Sequence, residues 1–375
     1  MCIVGETGPA LFGLTPAERS RRLFARQGVR SEITVDDAAA HDGQVVVVRA
    51  DAAIDQPLVP LLIATPGLLL VGQGPEGEAP VAVTVSAGQA AAAANILLGR
   101  ASEIPDVRLD RRRPEDLKAD FWKALRKRET PYAFVVAPGN AKAIEWRMFM
   151  GTYKGATDLV TKHVWPVPAY HATRYLAPRG VTPNMVTAVA AMFTILAFWL
   201  FLDGHFATGL AAAWAMTFLD TVDGKLARTT LTSSKWGDIF DHGIDLVHPP
   251  FWYVAWALGL AKVGFDWSPV TFWLVIAAIL AGYVIQRLFE GIAIKWLKLE
   301  IHIWRPVDTL FRQITARRNP NLLLLSVSLL VGRPDWGLMA VAIWTVACLV
   351  LHALQLAQAL AAKRHGALTS WMTGR

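Results

Sequence analysis

Asp220-Thr-Val-Asp223-Gly224-Lys-Leu-Ala227-Arg228, followed eight residues later by Gly237-Asp-Ile-Phe-Asp241-His-Gly-Ile-Asp245, joins two long apolar runs. On helices, Asp220, Asp223 and Ala227 share one face at i, i+3 and i+7, and Gly237, Asp241 and Asp245 share another at i, i+4 and i+8. The short link between the runs predicts antiparallel helices with these faces opposed, so that four carboxylates converge. Four like charges at membrane depth are costly unless their pKa values rise or cations sit among them. Divalent metal is the simpler solution. Hard carboxylate oxygens without His or Cys favour magnesium, manganese or calcium over zinc, and a pair of such ions commonly handles phosphate. Gly224, Ala227 and Gly237 add no bulk to the cleft, and Arg228 offers a fixed cation for a phosphate oxygen. The opposing reading is a set of ordinary helix-end charges. At about 5% usage per residue type, eight fixed positions match by chance about once in 10^8 chains of this length.

Outward from this junction, apolar runs predict six spans at about 184–203, 206–228, 237–261, 269–290, 320–333 and 335–362. Thr182-Pro183, Ser268-Pro269 and Asn319-Pro320 mark three helix starts, each a cap residue followed by Pro at the first helical position. The uncharged cores of Phe206 to Leu219 and Asn319 to Gly332 fall short of the roughly 20 residues a span needs. Their polar ends must project beyond the hydrocarbon or into a cavity. Pro249 and Pro250 predict a kink in the third span. On one side of the membrane the connections hold only Lys262 and Arg333 as basic residues. On the other, the segment 287–319 carries seven Lys or Arg against three acids. The positive-inside rule then places the N-terminal region, this segment and the C-terminus in the cytoplasm, with the chain in the cytoplasmic membrane.

Residues 1–180 read as soluble and partly basic. Thr15-Pro16-Ala17-Glu18 is a capping box opening a helix that Gly28 ends. Short apolar runs at Cys2 to Val4, Val45 to Val48, Leu68 to Val71 and Val81 to Val85 alternate with helical stretches, predicting an α/β domain with a mostly parallel sheet over residues 1–105. Between Arg108 and Arg179 there are 15 Lys or Arg against 7 Asp or Glu, interleaved with Trp and Tyr. That mixture suits juxtamembrane helices on an anionic lipid surface over residues 106–180, or else a solvated linker. The membrane domain follows over 181–365 and a tail over 366–375.

Composition agrees. A chain of 375 residues has room for two or three domains. With 54% hydrophobic and 18% charged residues it is too apolar for an ordinary soluble enzyme, and disorder is excluded. The net charge of +7 favours anionic partners, with phosphate esters or lipid ahead of nucleic acid. Cys2 and Cys348, the only cysteines, have no metal or disulfide spacing.

The carboxylate pattern resembles the signature of the CDP-alcohol phosphotransferases, D-x2-D-G-x2-A-R-x8-G-x3-D-x3-D, with all eight fixed residues in place. The resemblance implies an integral membrane enzyme, often a homodimer, that moves a substituted phosphate from a CDP-linked donor to an alcohol acceptor and releases CMP. It implies two ions, Mg2+ or Mn2+, held by Asp220, Asp223, Asp241 and Asp245, with Asp245 also the general base. Asp220, Asp223, Gly224, Ala227, Arg228 and Gly237 would bind the nucleotide. A second substrate bearing phosphate or a lipid head needs further cations, for which Arg287, Arg305, Arg312, Arg317 and Arg318 are available, with Lys154 and Lys162 as weaker candidates. His242 and His248 read as packing residues. Two alternatives remain: a soluble CDP-alcohol donor such as CDP-inositol with a lipid or alcohol-phosphate acceptor, and a metal-binding transporter or membrane scaffold.

The soluble part resembles the sugar-phosphate nucleotidyltransferases at Arg49-Ala-Asp51 and at Gly13-Leu-Thr-Pro-Ala-Glu18. Where that family has a Gly-rich loop ending in Arg, this chain has Gly5-Glu-Thr-Gly8-Pro. The departure implies a degenerate, regulatory or docking domain, an active cytidylyltransferase being the alternative.

Overall fold

The computed structural model describes residues 1–373 apart from Lys118 and Asp120, and the side chains of Lys235, Asp238, Asp241 and His242 lie outside the description. The chain divides into two compact units, Met1–Tyr153 with Thr173–Gly180 and Arg228–Leu231, and the remainder.

The first unit is built on strands β1 (Cys2–Val4), β2 (Gln44–Arg49), β3 (Ala52–Ile54), β4 (Leu68–Gly74), β5 (Gly77–Ser86), β6 (Asp110–Arg112) and β9 (Ala133–Val135), with β7 (Phe121–Trp122) and β8 (Lys127–Arg128) forming a separate ribbon. Its helices are α1 (Pro16–Arg26), α2 (Val35–Ala38), α3 (Val59–Ala64), α4 (Ala90–Leu97) and α5 (Ala141–Gly151). Helix α1 starts as the capping box dictates, the Thr15 side chain accepting from the Glu18 N–H. Alternation along the strands sorts side chains to two faces. Val46, Val48, Leu68 and Leu70 pack with Leu23 and Phe24 of α1, whereas Val45, Val47, Leu69 and Val83 pack with Ala93 and Leu97 of α4. Both sheet faces are therefore buried, which is why these strands read as continuous apolar runs.

The α/β character is as expected, but the sheet is mixed. Its order is β1-β2-β5-β4-β9-β3 with β6 also on β4. The β1/β2, β4/β6 and β4/β9 pairs are parallel, and β2/β5, β4/β5 and β3/β9 antiparallel. Gly74-Pro75-Glu76-Gly77 makes a tight hairpin between β4 and β5, leaving no length for a crossover helix. The sheet also draws β6 and β9 from beyond residue 105.

The second unit contains α6 (Leu159–His163), most of α7 (Pro166–Leu176), α8 (Pro183–Leu202), α9 (Phe206–Thr229), α10 (Lys235–Lys262), α11 (Pro269–Ile292), α12 (Pro306–Phe311), α13 (Arg318–Leu330) and α14 (Pro334–Lys363). A helix occupies each of the six expected spans. Pro183–Leu202, Pro269–Leu297 and Pro334–Lys363 are long and apolar enough to cross a membrane. Helix α13, at 13 residues, is about 20 Å long against a hydrocarbon thickness of about 30 Å. The core joins Phe201, Phe206, Trp252, Trp256, Ile279 and Val341, while Met192, Trp199, Trp273 and Ile343 face outward. An apolar exterior around an apolar core is what a bilayer solvent requires.

Small residues set the helix spacing. A Cβ on Gly259 of α10 would collide with the Phe201 carbonyl of α8, and one on Gly282 of α11 would lie 2.6 Å from Thr345 Cγ2 of α14. Helix α10 runs on through Pro249 and Pro250. Pro250 has no N–H for the Leu246 carbonyl, and the Tyr283 hydroxyl of α11 donates to that oxygen at 2.9 Å instead. Lys262 pairs with Asp203 at 2.5 Å, and Arg333 with Asp335 at 2.5 Å.

Candidate active site at the α9–α10 junction

Helix α9 carries Asp220, Asp223, Gly224, Ala227 and Arg228 in its C-terminal turns. Ser234 starts α10, its hydroxyl accepting from the Gly237 N–H at 3.1 Å, and Asp241 and Asp245 follow one and two turns on. The Asp241 side chain lies outside the described residues. A Cβ on Gly237 would lie 2.8 Å from Asn184 Oδ1, so α10 begins close against the Asn184 side chain of α8.

Asp220 and Asp245 come from different helices onto one cation. Arg318 Nη2 donates to Asp220 Oδ2 at 2.5 Å, and Arg318 Nη1 pairs with Asp245 Oδ1. Of the four carboxylates expected to converge, Asp220 and Asp245 thus meet on one side chain. Asp223, only 4% exposed, accepts from the Thr187 hydroxyl of α8 at 2.6 Å. Arg318 is itself located by its neighbour: Asn319 Nδ2 donates to Asp158 Oδ1 at 2.9 Å, and Asp158 caps α6 by accepting from the Thr161 N–H.

Residues 180–316 match the family model for CDP-alcohol phosphatidyltransferase. This chain carries a CDP-alcohol phosphatidyltransferase domain. It is similar to choline/ethanolaminephosphotransferase 1 of Arabidopsis thaliana, 39% identical over 27% of this chain and 28% of the relative. It is also similar to archaetidylinositol phosphate synthase of Pyrococcus horikoshii, 32% identical over 31% of this chain and 60% of the relative. An uncharacterised CDP-alcohol phosphatidyltransferase class-I family protein of Schizosaccharomyces pombe is 29% identical over 25% of this chain and 28% of its own length. The chain thus spans less than two thirds of the length of these relatives.

Members of the CDP-alcohol phosphatidyltransferase family use divalent metals. Among the described residues no three His, Cys, Asp or Glu side chains are gathered as a metal cluster. The donors nonetheless suit a hard cation. Asp223 is a buried carboxylate with a neutral hydroxyl on it, and Asp220 and Asp245 already share a positive charge.

The five arginines proposed for a second substrate go to three places. Arg318 is on the aspartates. Arg305 pairs with Asp308 at 2.9 Å and reaches Gln358. Arg287 and Arg317 both contact Glu290, Arg287 at 3.0 Å, and His302 Nε2 lies 3.1 Å from the same carboxylate. Burial pushes the His302 imidazole down to about 3, with Arg317 reinforcing the effect against the pull of Glu290. Burial beside Arg317 lowers Arg312 as well. Nε of Arg287, Arg312 and Arg317, Nη1 of Arg312 and Nδ1 of His302 are buried without hydrogen-bond partners among the described residues. This part of the CDP-alcohol phosphatidyltransferase domain is rich in unused donors.

Sequence reasoning missed Thr187, Asp158, Glu290 and His302. A threonine at the fifth helical position of α8 carried no signal beyond polarity in an apolar run. His248 is the packing residue expected, its Nδ1 2.7 Å from the Ile244 carbonyl and its ring against Trp252. Lys162 is exposed. In the other unit, both carboxylate oxygens of Asp51 are engaged by Arg49 at 2.8 Å.

Proposed function

We propose that the helical unit is a phospholipid- or polar-lipid-synthesising phosphotransferase, moving a substituted phosphate from a CDP-linked donor such as CDP-diacylglycerol to an alcohol acceptor and releasing CMP. The observation that carries this is the meeting of Asp220 and Asp245 on one cation beside buried Asp223, within the family-matched segment and at the motif's spacing. Asp220, Asp223, Asp241 and Asp245 would hold Mg2+ or Mn2+, two ions in this reading, whose contribution when bound is to stabilise phosphoryl oxygens as Lewis acids. Asp245, whose side chain is 39% exposed, is open to solvent and takes the acceptor hydroxyl proton as general base. The freed alkoxide attacks the β-phosphorus in line as the bond to the CMP oxygen breaks. Gly224, Ala227 and Gly237 keep the nucleotide slot free of bulk and Arg228 binds its phosphates. The protein works in the cytoplasmic membrane with this site on the cytoplasmic side. The scarcity of Lys and Arg in the connections on the other side, Lys262 and Arg333 alone, supports that orientation.

The unused donors around Arg287, Arg312 and Arg317 favour a phosphate-bearing second substrate over a neutral alcohol. One relative is named for choline/ethanolamine phosphotransfer and the other for archaetidylinositol phosphate synthesis. Purified protein in detergent with Mg2+, given CDP-diacylglycerol or soluble CDP-alcohols against free and phosphorylated acceptors, tests the reading. Product from a phosphorylated acceptor alone is the expected result; product only from unphosphorylated alcohols removes the anion-pocket assignment.

A further inference from the structure

Arg318 occupies an unusual position for a substrate-binding arginine. Its guanidinium lies between Asp220 of α9 and Asp245 of α10, 2.5 Å from the first and paired with the second, and its side chain is 14% exposed. One guanidinium is thus shared between two carboxylates of different helices. The guanidinium is under-used too, since its Nε is buried without a hydrogen-bond partner among the described residues. The residue is anchored behind this contact by Asn319, whose amide donates to Asp158 at 2.9 Å and to Thr161 at 3.2 Å. The backbone at the start of α13 is thereby fixed behind the guanidinium.

We infer that Arg318 is an exchangeable counter-ion: it competes with a divalent cation for Asp220 and Asp245, and once displaced it turns its guanidinium to a phosphate oxygen of the bound nucleotide. The inference rests on reading Asp220 and Asp245 as metal carboxylates. A divalent ion matches the charge of two carboxylates better than a guanidinium does, and the displaced guanidinium recovers its hydrogen bonds on an anion with several acceptor oxygens. Divalent metal and nucleotide binding are then linked through one side chain, each favouring the other. Lysine at this position would present a single charge point and could satisfy only one aspartate at a time.

The test is Mn2+ binding to the full-length protein in detergent, followed by electron paramagnetic resonance without substrate, for wild type, Arg318→Gln, Arg318→Lys and Asp223→Asn. The expected result is about tenfold tighter Mn2+ binding in Arg318→Gln and a smaller gain in Arg318→Lys, from the usual strength of charged hydrogen bonds. CDP binding at saturating Mn2+ is expected to be about tenfold weaker in Arg318→Gln. Mn2+ affinity unchanged or weakened in both arginine variants, while Asp223→Asn loses the site, overturns the counter-ion inference alone. Absence of an aspartate-dependent Mn2+ site in all four proteins overturns the metal reading and the inference with it. Thermal unfolding of each variant separates these results from misfolding, and Arg318→Lys retains the charge should Arg318→Gln fail to fold.

Discussion

The Thr187 hydroxyl of α8 donates to Asp223 of α9 at 2.6 Å, and also reaches the Pro183 carbonyl one turn back at 3.1 Å. A buried carboxylate is thus oriented by a helix outside the motif. Thr187→Val keeps the shape and removes the donor, so a hydrogen bond to a charged group worth about 1.5–3 kcal/mol is lost. CMP release should fall about tenfold or more and require more Mg2+, with Thr187→Ser near wild type. A Mg2+ titration of initial rates checks this, and equal Mg2+ requirements in Val and wild type would remove Thr187 from the site.

Tyr283 compensates for Pro250. Tyr283→Phe should cost about 1 kcal/mol of stability, the usual net value of one hydrogen bond. In a Pro250→Ala background the restored N–H can bond the Leu246 carbonyl, and the same substitution should then cost clearly less. Thermal unfolding of the four proteins in detergent completes the cycle. Equal costs in both backgrounds would show that the hydroxyl is not a substitute for the missing N–H.

Asp55 gives the sheet unit a pH dependence. Burial raises its carboxyl to about 6 despite Lys127 nearby, and it accepts from the Gln56 N–H at 2.9 Å. The folded value lies above the unfolded one, so between about pH 4 and 6 the folded state holds more protons and stability falls as pH rises. Allowing for solvent, the loss is about 1–2 kcal/mol. Amide protection of β3 and β9 in the full chain, corrected for intrinsic exchange, should weaken from pH 4.5 to 7 in wild type and stay level in Asp55→Asn. A level wild-type profile would contradict the shifted carboxyl.

Local chemistry was the legible part of the fold. Thr182 and Ser268 cap α8 and α11 as their sequences indicate, accepting from the Met185 N–H at 3.3 Å and the Thr271 N–H at 3.1 Å. The third such signal, Asn319-Pro320, was misplaced by a tertiary contact. Helix α13 starts at Arg318 because the Asn319 side chain is taken by Asp158 rather than by a backbone N–H. The mixed sheet was hidden for a similar reason: β9 is only three residues of the uncharged stretch 130–137, and pairing with β3 and β4 makes it a strand. Spacing alone pointed to Asp220 and Asp245, which both contact Arg318. Thr187 and Asp158 act across 36 and 161 residues of sequence, a separation that no local pattern encodes.

Phosphotransfer at the motif aspartates is tested head-on by CMP release from the purified full chain with and without Mg2+, offering CDP-diacylglycerol and soluble CDP-alcohols, beside Asp223→Asn. Wild type should produce CMP in a Mg2+-dependent manner, with a fall of at least about a hundredfold in Asp223→Asn, the loss of a charged group in a preorganised site. CMP release that ignores Mg2+, or that survives in Asp223→Asn at the wild-type rate, would contradict it.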